Sequence, residues 1–258
     1  NILWLKRIDY AGGSVGDSFY TLNSLEIGVE SDLTGNAYEA TDLVYDSSLG
    51  FVILASMGDS SWIGQTWVIR TDTSGNTCTI VDGVCDGTNT YSRVFNYNTW
   101  VSEGDGTPNA DLPFGDEPYA IARVYNDGNS GVVITGRLDA HAGDDEVFIL
   151  EVSDSGTATG FWSVTVDSTP DGDMAFPAFV FENLDGDYYI GGRTDTPFLV
   201  GDSQLMAFLL KWDVDSPLDS RVISHQHLDA NHSLWYDGVL SYHGDPIVVG
   251  FAYESSLG

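Results

Sequence analysis

The residues of this chain best suited to chemistry are closely spaced carboxylates. Asp171-Gly172-Asp173 and Asp185-Gly186-Asp187 each set two acids two positions apart, and Asp144-Asp145-Glu146 and Asp213-Val214-Asp215 repeat the crowding. Clustered oxygen donors suit Ca2+, a hard cation that takes carboxylate, carbonyl and water oxygens. An EF-hand loop needs acids at alternating positions, a glycine and then a closing glutamate, and no segment carries that series. Asp-Gly is equally the turn pair of hairpins, so each loop has two readings. Asp171, Asp173, Asp185 and Asp187 are the candidate metal ligands, and calcium is the one cofactor implied.

Other chemistry is thinner. His225 and His227 alternate along an expected strand and share one side of it, with Asp229 and His232 close behind. Such a set suits a transition metal, and equally a polar edge strand with its loop. No glycine-rich phosphate loop occurs. Among 39 acidic residues no pair stands out as the acid and base of a glycosidase, so no catalytic residue is assigned. Trp62, Tyr91, Tyr97, Trp100, Tyr236 and Tyr242 fall in or near loops rich in Asp and Asn. Such rings hold sugars at lectin-like sites, and they also fill the space between sheets. Cys78 and Cys85 flank an apolar segment centred on Asp82-Gly83, which predicts a hairpin closed by a disulfide and an oxidising compartment. Asn231-His232-Ser233 is a sequon for N-glycosylation at Asn231.

The frame that positions these residues must tolerate a net charge of −30, from 39 acids against nine bases. That balance argues against a nucleic acid or an anionic membrane face as partner, since both demand a basic footprint. No apolar run reaches the ~20 residues that span a bilayer, so no membrane insertion is expected. Three readings of the charge remain: calcium binding, work in high salt, or solubility of a secreted protein. Lys6 and Lys211 are the only lysines. Arg70, Lys211, Arg137 and Arg193 occupy places repeated along the chain, which suggests structural rather than functional roles. The chain opens at Asn1 without Met, in keeping with a processed or excerpted protein and with an extracellular or cell-surface location.

Helical periodicity is nearly absent; apolar runs of four to seven residues break at Gly, Asp, Asn, Ser or Pro. One phrase recurs. A lead-in strand is followed by a strand ending near glycine (51–55, 132–136, 188–192, 247–250), then by a strand running into Asp (67–72, 148–154, 208–213). A fourth, more exposed strand follows, clearest at 159–166 and 220–224. The last glycine-ended strand has no successor, but Trp4-Leu5-Lys6-Arg7-Ile8-Asp9 has its form. Four antiparallel strands repeated about an axis predict an all-β fold, a β-propeller in one domain. Its blades lie at about 37–78, 117–166, 171–224, and 231–258 plus 1–22, with 79–116 as an inserted loop. The fourth blade closes within the chain, between copies of it, or in a larger propeller of which this is an excerpt.

Gly131-Val132-Val133-Ile134-Thr135-Gly136, then Asp145–Leu150 and Ser153-Asp154-Ser155-Gly156, resembles the repeats of secreted and cell-surface, mostly bacterial, β-propeller proteins. Trp67–Gly75 is the nearest copy of the second half. The resemblance covers about 70% of the chain in short motifs and implies a non-catalytic extracellular module: surface, adhesive or carbohydrate-binding. The partners implied are a glycan, another surface protein or copies of the chain itself. The alternatives are a filament subunit built by strand complementation, and a secreted glycan-active hydrolase or lyase. Propeller sialidases carry a Ser-x-Asp-x-Gly-x-Thr-Trp box, which neither Ser153–Gly156 nor Thr71–Gly75 fits. If the acidic loops bind calcium, millimolar Ca2+ raises the melting temperature relative to chelator; superimposable melting curves rule that out.

Overall fold

The computed structural model describes residues 3–8, 14–20, 37–47, 49–58, 64–77, 80–81, 84–85, 90–95, 116–125, 130–140, 144–164, 166, 175–194, 206–216, 220–225 and 232–253. All regular structure among them is β-strand, without a helix. β1 (Leu3–Ile8) and β2 (Ser14–Tyr20) make a two-stranded antiparallel sheet. β3 (Ala37–Asp46), β4 (Gly50–Gly58), β5 (Gly64–Arg70) and β8 (Tyr91–Phe95) make a four-stranded one in the order β3-β4-β5-β8. Between β5 and β8 sits a small hairpin of β6 (Ile80–Val81) and β7 (Val84–Cys85). A second four-stranded sheet contains β9 (Asp116–Val124), β10 (Gly131–Ala140), β11 (Asp144–Ser153) and β12 (Ala158–Val164). The third contains β13 (Ala175–Glu182), β14 (Tyr188–Thr194), β15 (Met206–Trp212) and β16 (Arg221–His225). β17 (His232–Leu240) and β18 (Pro246–Tyr253) end the series as a two-stranded sheet.

Each sheet runs up and down in chain order, as hairpin-linked strands do. The chain divides into two compact units, residues 1–118 with 154–157, and 119–153 with 158–258. In the first, Leu5 and Val94 pack against Ile53, Ala55, Trp67 and Ile69. In the second, β10 and β11 pack against β13, and β17 lies against β13, β14 and β15. Val133, Val147, Ile149, Ile190, Phe208 and Leu210 are buried between them.

The repeated phrase acquires a physical meaning in the strand registers. A small residue of the second strand stands opposite the aromatic that opens the third: Ala55 opposite Trp67, Gly136 opposite Phe148, Gly192 opposite Phe208. All three rings are almost completely buried. The first strand bulges beside that small residue, skipping Thr41 between Ala40 and Asp42 and Ala178 between Pro177 and Phe179. β17 bulges likewise at Tyr236, beside Gly250 of β18.

The all-β expectation and the repeat order hold. The first sheet takes its outer strand from Tyr91–Phe95, inside the stretch read as an inserted loop. Tyr91 and Ser92 are buried and Arg93 is exposed. Pairing rather than an apolar run holds this strand, with Thr77 and Ser92 bonding to Tyr91 and Trp67 across it. The two short strands expected there pair antiparallel, with Val81 opposite Val84 and Ile80 opposite Cys85, while Asp82 and Gly83 lie outside the described residues. Cys78 lies outside the described residues, as does the side chain of Cys85.

A Cβ added at Gly192 would run into the Phe176 carbonyl and Pro177, both main chain and unable to turn aside. Gly192→Ala should cost about 1–3 kcal/mol, the usual range for overpacking, read as a lower urea midpoint at unchanged slope. A midpoint equal to the parent's would show that the sheet yields there.

Candidate binding cleft

In the second unit the end of β11, the β13–β14 turn and the segment after β15 surround a cleft of about 230 Å3. Its wall is acidic, carrying Glu151, Glu182, Asp185, Asp187 and Asp215, with Thr159, Ser130 and Ser153 beside them. β10 opens on Gly131, and a Cβ at that position would collide with the Val152 carbonyl, so glycine is what lets these strands meet at the cleft floor. Tyr188 is buried, and its hydroxyl donates to Glu151 Oε1. Thr159 Oγ1 donates to Glu151 Oε2 at 3.3 Å, so both carboxylate oxygens have a donor. Glu182 accepts the Tyr125 backbone N–H at 2.8 Å. Burial, the bond to Glu151 and the charges of Glu151 and Glu182 together hold the Tyr188 phenol protonated far above its ordinary range.

Asp185 and Asp187 sit in a turn whose chemistry recurs. In Asn183–Asp187 the Asn183 side-chain oxygen accepts the N–H groups of Asp185 and Asp187 at 2.8 and 2.9 Å. Asp72–Asn76 does the same through the Asp72 carboxylate to Ser74 and Asn76, and Ser241–Asp245 through the Ser241 hydroxyl to His243 and Asp245. The fourth residue of each is a glycine at positive φ: Gly75, Gly186 and Gly244. The Asp187 carboxylate is engaged by Lys211 at 2.8 Å, and that bond, with the charges of Asp187, Tyr189 and Asp213, raises the lysine above its usual value against a smaller loss from burial. The Asp185-Gly186-Asp187 run therefore serves turn and pairing chemistry.

Among the described residues no group of three His, Cys, Asp or Glu side chains is placed to hold a metal ion. Asp171, Asp173 and Asn231 lie outside the described residues, as do the side chains of His225 and His232. The repeat-equivalent bases have structural work. Buried Arg70 donates to the Asp154 carboxylate at 2.7 Å, while Arg137 and Arg193 lie over the Phe176 ring at 5.4 and 4.8 Å. Of the loop aromatics, Tyr91 is core, Tyr236 and Tyr242 are exposed, and Trp62, Tyr97 and Trp100 lie outside the described residues.

Sequence reasoning passed over Glu151, Glu182 and Tyr188, yet one signal marks Glu151. Three positions after the buried ring, the third strand carries Arg70 in the first sheet and Lys211 in the third, but Glu151 in the second, an acid where the repeat places a base. Comparison with protein-family models, with curated proteins and with solved structures gives no match to this chain.

Replacing Tyr188 by Phe strips a donor from Glu151 and should cost about 1–3 kcal/mol. Because the folded phenol titrates far above its unfolded value of about 10, its contribution is full below pH ~10 and declines as pH rises beyond that point. Urea unfolding from pH 8 to about 12 should therefore show a steeper alkaline loss in the parent than in Tyr188→Phe. Parallel pH profiles would contradict this.

Proposed function

We propose that this chain is a β-propeller-type repeat protein that serves as a non-catalytic, extracellular binding module, holding a single small polyhydroxylated unit, such as one sugar residue, in the acidic cleft. The observation that carries this reading is how the Glu151 carboxylate is held. Its two oxygens are oriented by the Tyr188 and Thr159 hydroxyls, which suits acceptance of ligand hydroxyls, the polar half of sugar recognition. The volume of about 230 Å3 is below the roughly 300–1,000 Å3 of sites for drug-sized ligands, in keeping with one ring rather than a long chain. The repeat order of the sheets supports the propeller assignment, since up-and-down four-stranded units are its building block.

The test is a glycan array followed by calorimetric titration with the sugars it selects. Binding is expected in the high-micromolar to millimolar range and should fall at least about tenfold in Asp215→Ala, a change at the cleft wall outside the Tyr188 network. A blank array together with flat titrations would remove the proposal.

A further inference from the structure

The basic side chains within the sheets differ in what neutralises them. Arg70 is paired with Asp154 at 2.7 Å and Lys211 with Asp187 at 2.8 Å. Arg193 has no such acid among the described residues. Its guanidinium forms neither a hydrogen bond nor an ion pair with them and lies 4.8 Å from the centre of the Phe176 ring. The side chain is half-buried, yet none of its nitrogens is sealed from solvent. In a chain of 39 acids and nine bases, an arginine held against a ring instead of an acid needs a reason.

Arg137 comes to the same ring from the neighbouring sheet, 5.4 Å from its centre, and Tyr119 meets Phe176 edge to face at 6.3 Å. Two guanidiniums drawn to one ring repel each other, a cost that an anion bound beside both removes. The repeat does not require a base at this place. Arg137 and Arg193 each follow the small residue of the second strand, Gly136 or Gly192, whereas Ser56 follows Ala55 in the first sheet and Phe251 follows Gly250 in β18. Arginine stands there only in the two sheets whose side chains meet at Phe176.

The ring contact restrains the Arg193 side chain without consuming its N–H donors. Those donors form a rigid fork that matches the two oxygens of a carboxylate. A side chain already restrained loses less freedom when it captures such a group. The place is separate from the acidic cleft, which Gly131 and Tyr188 line at the start of β10 and β14, whereas Arg137 and Arg193 lie toward the other end of the same strands. At about 3.3 Å per residue the two places are roughly 15–20 Å apart, beyond the Debye length of about 8 Å at physiological salt. The cleft carboxylates therefore do little to repel an anion here. Tyr119, Arg137, Phe176 and Arg193 all belong to the second unit, so the site is complete within it.

We propose that Arg193 and Arg137, positioned by Phe176, bind the carboxylate of a small molecule. The net charge of −30 limits the ligand. A polyanion or a doubly charged oxyanion is repelled more strongly by the field of the whole chain than a single carboxylate is. The carboxylate belongs to a free acid or to an acidic sugar such as a uronic acid, and the same fork would hold either. What the acidic cleft binds has no bearing on this second site.

Titration of the full chain with acetate, glucuronate and sulfate at fixed ionic strength, followed by backbone amide NMR, tests the site. Acetate and glucuronate should bind with Kd in the millimolar range, and sulfate more weakly. Arg193→Gln should weaken both carboxylates at least about tenfold, with parental near-ultraviolet circular dichroism. Arg193→Lys keeps the charge but loses the fork, and should fall between the two. Asp215→Ala, which alters the cleft, should leave acetate binding unchanged. Glucuronate bound more tightly than acetate supports an acidic sugar, and equal affinities support the carboxylate by itself. The absence of binding by either carboxylate up to about 50 mM overturns the proposal. So does parental affinity in Arg193→Gln, a preference for sulfate, or loss of acetate binding in Asp215→Ala.

Discussion

One close approach organises the sheets. The second strand of each complete repeat must carry a residue with almost no side chain where the third strand brings in Trp67, Phe148 or Phe208. The ring is buried, which drives the packing between neighbouring elements. The small residue and the bulge beside it leave the room that the ring and the adjacent main chain occupy. Remove that vacancy and the register would have to slip, turning each apolar face toward water.

The turns are the second device, and each of the three includes at least one acid. A side-chain oxygen on the first residue accepts two backbone N–H groups two and four positions on, and Asp, Asn and Ser serve interchangeably at 72, 183 and 241. The backbone donors of a tight turn are thereby satisfied without a ladder partner. The acids have a local use before any ligand is invoked. The Asp72 carboxylate shows it: burial, the largest single influence, raises its pKa, but the Asn76 main-chain and side-chain bonds, with those from Ser74 and Gly75, together outweigh this and lower it.

A single repeat position illustrates how one scaffold yields different chemistry. Arg70 is buried and grips the Asp154 turn, Lys211 reaches out to Asp187, and Glu151 turns the same place into an acceptor held by Tyr188 and Thr159. The backbone geometry is shared, so the outcome depends on the side chain and its neighbours. An acid at this position brings carboxylates from β11, β13 and the β13–β14 turn to one wall of the cleft.

The amino-acid sequence by itself determined the strands, their order and their repeat, because alternation, glycine and turn residues act over a few positions and can be read locally. The structural role of the repeat-equivalent bases was legible for the same reason. The strand at Tyr91–Phe95 was not, since it is short, mixed in polarity and held by pairing with β5, a partner distant in the chain. Nor was the cleft, because Glu151 is tens of residues from Glu182 and Tyr188 and meets them only when β11 lies beside β13. The acidic loops were ambiguous from residues alone: Asp185-Gly186-Asp187 reads as a cation site or as a turn, and only the structure shows the turn bonds and Lys211 beside Asp187. Local propensity decides which segments become strands, whereas the company each charge keeps is decided by packing, where desolvation and long-range pairing enter.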